Sequence, residues 1–399
     1  MLVNSKKNNM NLKKKNEVSK HKKLSPKETA LSLFIVIFAL AALIVRDHYS
    51  KPLGSIVLVA GLFIGVLVSL LLIKKDRENV GNGIHIIKDS IKTFIRFPIL
   101  IIPLLFTWSI YAPIIVYVKF FMVWSQYSYP QKFFIAFGVI LVFSFLISIS
   151  CLVLLELLKQ QESGRPMSIV NAVYEVVVRD LLKASPIALS WAFIWFVLTV
   201  LEAIFSRKSD EDESADFTPE NVAQTLAGFE NFTLSGALFE ALKKGVRMVV
   251  FLILPAIAWE NKSTGAAIKK GLGIIKAHKI EFATGFVMTE LAAGVLFLVP
   301  ALLFYLSARL KVHFPDTVWF ITIIYIGFAW SYYFFLEQMF TAGLYLWHLS
   351  WERECIKAKA ENRPLPQLSS VGRPTLLDDV PDLPVAKPKN RENKPGRSG

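Results

Sequence analysis

The chain has 399 residues, 54% of them hydrophobic and 19% charged, with a net charge of +14. Soluble domains carry about 25% charged residues, and several apolar runs here reach the roughly 20 residues a bilayer-spanning helix needs. These figures exclude a soluble enzyme, a disulfide scaffold and a fully disordered chain, and they predict an all-α, polytopic membrane helix bundle.

In chain order, residues 1–29 form a lysine-rich polar tail, predicted to be disordered and cytoplasmic. The membrane domain is expected over 30–351 as about eight spans. Ser25-Pro26-Lys27-Glu28 caps the first, whose apolar part is Ala30–Val45. The others are Leu53–Ile73, Ile99–Val118, Phe133–Leu158, Pro186–Phe205, Val246–Trp259, Ala283–Ser307 and Thr317–Leu349. The sixth is short and contains Pro255. A Pro-rich cytoplasmic tail, 352–399, follows; its segment 363–399 is an expected docking element for a protein partner.

Lys and Arg in the flanks set orientation. With the N-terminus inside, cytoplasmic segments hold 34 of the 45 basic residues and external ones 11. Both termini are therefore expected in the cytoplasm. The loop 206–245, with Asp210, Glu211, Asp212, Glu213 and Asp216, is expected outside. The charge thus reads as topology and as affinity for a bilayer with an anionic inner leaflet, not for nucleic acid. The chain is expected in the cell membrane, inner or plasma.

Each of the three inner loops carries an amphipathic stretch before the next span: 84–96, 169–183 and 266–278. Each shows apolar residues at helical spacing and a basic residue near its end, Arg96, Lys183 and Lys276. The pattern predicts three interfacial helices lying on the inner leaflet, with those cations at the lipid headgroups.

Pro255, Glu260 and Ala267-Ile268-Lys269 follow one another as a proline-centred span, a glutamate and an amphipathic helix, and Gly164-Arg165-Pro166 precedes 169–183. On those residues the chain resembles an uncharacterised prokaryotic multi-pass membrane family. It is also similar to the membrane domains found beside glycerophosphodiester phosphodiesterases. The resemblance covers residues 130–305 and departs at Gly271 and at the acidic insertion 210–220. It implies a fold and a location, and no activity.

No catalytic motif stands out. There is no H-E-x-x-H, no G-x-S-x-G and no phosphate loop, and Cys151 and Cys355 form no metal-ligand pattern. No catalytic residue, metal or cofactor is expected. The candidate site is instead a group of carboxylates inside the spans. Glu156 and Glu202 sit near span ends, beside Lys159 and Arg207. Glu290 and Glu337 lie deeper, where a charge costs several kcal/mol unless paired or hydrated. Tyr333, Glu337, Thr341, Tyr345 and His348 recur at helical spacing as one polar stripe, with Gln338 beside it. With no cation assigned to the deep parts of the spans, Glu337 is expected uncharged, hydrogen-bonded to Glu290, Thr289, Gln338 or Tyr333. The expected function is a non-enzymatic membrane protein, transport-related or serving membrane homeostasis. The alternatives are an interaction or assembly factor and, third, a lipid enzyme.

Overall fold

The computed structural model describes residues 77–205, 217–228, 234–366 and 370–372. The basic tail, the first two expected spans, the acidic segment 210–216 and the segment from 373 onward lie outside the described residues.

All regular structure among the described residues is helical. Helix α1 is Arg77–Arg96 and α2 is Ile102–Val116, with a 3-10 turn at Pro98–Ile101 before α2 and a π turn at Tyr117–Phe121 after it. Helix α3 is Tyr129–Glu162 and α4 is Ile169–Glu175; a π turn at Val176–Asp180 leads from α4 into α5, Leu181–Phe205. Next come α6, Pro219–Ala227, α7, Leu234–Ala258, and α8, Thr264–Ala277. The chain ends in two long helices, α9, Lys279–Leu310, and α10, Asp316–Ala360.

Among the described residues, five helical stretches are long and apolar enough to cross a membrane: Pro98–Phe121, Tyr129–Glu162, Ile169–Ile204, Lys279–Ser307 and Asp316–Ala360. The chain is accordingly an integral membrane protein. The sixth expected span, Val246–Trp259, takes a different form. Its helix starts twelve residues earlier, at Leu234, and the added half carries Glu240, Lys243 and Lys244 ahead of Arg247.

The three amphipathic stretches divide two to one. The first and third end at a backbone break before the next helix, at Phe97 (φ −133°, ψ 70°) and His278 (φ −125°, ψ 49°). Phe97 precedes Pro98, whose ring disfavours helical dihedrals in the residue before it. The second, 169–183, runs on without a break into α5, with only the π turn between. A separate interfacial helix there is corrected: it is the first part of a 36-residue helical stretch.

Helix α10 is the spine, packing on α1, α2, α6, α7 and α9. Close approach is enforced by glycine. A Cβ at Gly285 would overlap the Phe340 ring, and one at Gly327 would overlap Trp108. The first contact holds α9 against α10 and sets Glu290, a turn further along, beside Tyr333. The expected tail boundary at 352 also shifts. Helix α10 continues to Ala360, and the chain then folds back, so that the indole N–H groups of Trp347 and Trp351 donate to the carbonyls of Val371 (3.1 Å) and Pro366 (3.0 Å).

Candidate functional site: an ion-paired cluster between three helices

The site is built where α7, α9 and α10 meet. On α7, Lys244 and Arg247 are three residues apart, so they share a face. Both side chains are largely buried. The Arg247 guanidinium forks onto Glu337: Nε donates to Oε2 at 2.7 Å and Nη2 to Oε1 at 2.9 Å. The same Nη2 donates to Tyr333 Oη at 2.9 Å. Lys244 donates to Glu290 Oε2 at 2.6 Å and to the Phe286 carbonyl at 2.9 Å, and lies 3.7 Å from Glu337. Tyr333 closes the ring by donating to Glu290 Oε2 at 3.2 Å.

Aromatic faces line the cations. Arg247 sits 4.4 Å over the Phe334 ring, and Lys244 sits 4.6 Å over Phe286. Such contacts strengthen when desolvated. One turn toward the α7 N-terminus, Lys243 bridges Glu202 of α5 (2.6 Å) and Glu240 (2.7 Å).

This corrects the expectation that no cation is in reach of Glu337. The carboxylate is fully buried yet held by a two-pronged guanidinium, the strongest geometry open to it. The signal was present in the sequence. Glu240, Lys243, Lys244 and Arg247 recur at three- and four-residue spacing, the mark of a helix continuing outward from the apolar run.

The other expected members divide. Tyr333, Glu290 and Glu337 come together, with Lys244 and Arg247 between the two acids. Thr341 bonds back to its own helix, to the carbonyls of Gln338 (2.9 Å) and Glu337 (3.1 Å), and Thr289 does the same to Gly285 (2.8 Å). Gln338 turns to another helix, donating Nε2 to the Phe251 carbonyl at 3.3 Å. Tyr345 donates to Glu260. Glu156 pairs with Lys159 as expected and also with Arg179, both at 3.1 Å. Glu202 pairs with Lys243.

His348 meets His278 instead of Glu290 or Glu337. Their Nδ1 and Nε2 atoms are 2.9 Å apart, and Trp351 packs against both rings. Burial, with the neighbouring His348 ring adding to it, pushes His278 down to about 3, so it is neutral near pH 7.

The expected lipid contacts are separate from this cluster. Arg96 and Lys276 are exposed, and Lys183 donates to Asn261 Oδ1. Among the described residues, no group of three His, Cys, Asp or Glu side chains is placed to hold a metal ion. No family model, curated protein or solved structure matches the chain.

Proposed function

We propose that the chain is a non-enzymatic, transport-related protein of the cell membrane, with both termini cytoplasmic and its basic flanks on anionic lipid. In this reading Arg247–Glu337 is the fixed floor of a polar site, and Glu290, shared by Lys244 and Tyr333, is its exchangeable carboxylate. One observation carries the reading. The Glu290 side chain is 61% exposed although it lies inside a helix apolar enough to span, while Glu337 is 0% exposed. A charge facing hydrocarbon is costly, so Glu290 faces water or a polar ligand.

Accessibility tests this. In a background with Cys151 and Cys355 replaced, Glu290→Cys should react with a membrane-impermeant thiol reagent. A control cysteine at Leu298 on the same helix should react only with a permeant one. Labelling of Glu290→Cys by the permeant reagent alone would overturn the transport reading and favour the alternative, a polar contact with a partner helix.

A further inference from the structure

Three buried polar atoms have no hydrogen-bond partner among the described residues: Ser144 Oγ, Ser331 Oγ and Gln338 Oε1. All three residues are fully buried. Ser144 and Ser331 lie on apposed segments of α3 and α10. Phe143, next to Ser144, packs its ring 5.4 Å from Trp330 and 6.3 Å from Phe334, which bracket Ser331. Gln338 is two turns from Ser331 on the same face of α10, since seven residues bring a helix back within about 20°. Its amide orientation is fixed by chemistry: a carbonyl only accepts, so Nε2 must face Phe251 O and Oε1 must point away from it.

Leaving such groups dry between apolar helices costs about 1–3 kcal/mol each. The neighbouring serines show the usual remedy. Ser148 donates to the Ser144 carbonyl at 2.7 Å, and Ser150 to the Pro103 carbonyl at 2.9 Å. Ser144 and Ser331 do neither. A buried water needs two to four polar partners, and three unpartnered buried polar atoms on α3 and α10 can supply such a set.

We infer that the α3–α10 seam holds ordered internal water, anchored by Ser144, Ser331 and Gln338 alongside the Arg247–Glu337 pair. The ligand is water itself. The site is independent of whether Glu290 opens to solvent, because its anchors are closed side chains on the opposite side of α10 from α9's Gly285 contact.

X-ray radiolytic footprinting tests it on the full chain in detergent or nanodiscs. A short pulse converts bound water to hydroxyl radical where it sits, and mass spectrometry reads the oxidised side chains. Phe143, Phe334 and Met339 are as buried as Phe340, which is packed on Gly285. After correction for intrinsic reactivity, the first three should label about tenfold faster than Phe340 if water is their neighbour. Ser144→Ala with Ser331→Ala should bring Phe143 and Phe334 down to the Phe340 level, and Gln338→Leu should do so for Met339. Labelling no faster than Phe340 in the unmodified protein overturns the inference. So does fast labelling that the substitutions leave unchanged, which would report bulk access. If a variant fails to fold, a bulk radical scavenger added to the unmodified protein decides: fast labelling that persists supports bound water, and fast labelling that is quenched reports bulk access and overturns the inference.

Discussion

Glu337 and Glu290 are the same side chain, on adjacent helices, each held by a cation from α7, yet they sit in opposite surroundings. Glu337 is closed off and gripped by a planar fork; Glu290 is open and held by a point charge and a phenol. Geometry decides what each can do. A bidentate guanidinium pair has a defined separation and angle, and losing one member leaves the other a buried, uncompensated charge. A lysine amine has three rotatable donors and can follow a moving carboxylate or release it. The first pair therefore fixes α7 to α10, and the second is suited to change.

The largest effect should come from stranding a charge at the closed pair. Arg247→Met leaves Glu337 buried with only the more distant Lys244, and should cost on the order of 3–5 kcal/mol, measured by thermal unfolding in detergent. The partner test is sharper. Arg247→Met combined with Glu337→Leu removes both charges and should recover most of the loss, because desolvation of two ions offsets much of their attraction. A double variant as unstable as the single would mean that the pair contributes net stability and not only relative helix placement.

The open pair should respond less. Glu290→Gln keeps the size and an acceptor for Lys244, which also retains the Phe286 carbonyl, so the cost should be about 1 kcal/mol or less in the same measurement. If Glu290→Gln is as damaging as the stranded arginine, the two carboxylates are not the fixed and exchangeable members proposed.

How far the sequence reveals this contrast depends on the kind of signal. Apolar runs are set by the bilayer's thickness, so the stretches around Phe133, Ala283 and Thr317 emerge at nearly their final places. Helix starts within charged segments are set by packing instead. That is why α7 gains its half from Leu234, with Lys243 and Lys244, only in the structure. The break after 84–96 is readable from Pro98, whereas the continuity of 169–183 into α5 is not, since Pro186 marks a first helical turn as readily as it sits inside a helix. The pairing of Glu290 with Glu337's neighbourhood was legible because both fall within consecutive spans. The pairing of His278 with His348 joins residues 70 apart and follows only from how α9 crosses α10.

That histidine pair extends the comparison to a group whose charge pH can change. His278 is depressed from 6.5 to about 3 by burial, with His348 contributing. A neutral folded histidine and a protonated unfolded one mean that the unfolded chain binds more protons between those values. Its contribution to stability is thus complete above pH 6.5 and falls as pH drops from there toward 3, by at most about 1.4 kcal/mol per pH unit. Glu352 (3.7 Å from His348) and Lys270, which pairs with Glu352, are the charged neighbours. Unfolding measured from pH 7 to pH 4 should show a shallower slope in His278→Gln than in the unmodified chain. Equal slopes would place the acid sensitivity in the carboxylates.

A local effect should come from the segment that folds back on α10. Trp347 and Trp351 each give one neutral N–H bond to a backbone carbonyl beyond residue 365, and such bonds contribute about 0.5–1.5 kcal/mol apiece. Truncation after Arg363 removes both acceptors and leaves both indoles in place. Trp347 is 1% exposed with the segment present. Its uncovering should shift tryptophan emission to the red, while the ion-paired cluster ten residues away stays intact. Unfolding should move by no more than the two bonds combined, and Glu290→Cys should label at the same rate in the truncated chain. A change in that rate on truncation would couple the returning segment to the open carboxylate and make it part of the same device. An unshifted emission would mean that the indoles are already in contact with water when the segment is present.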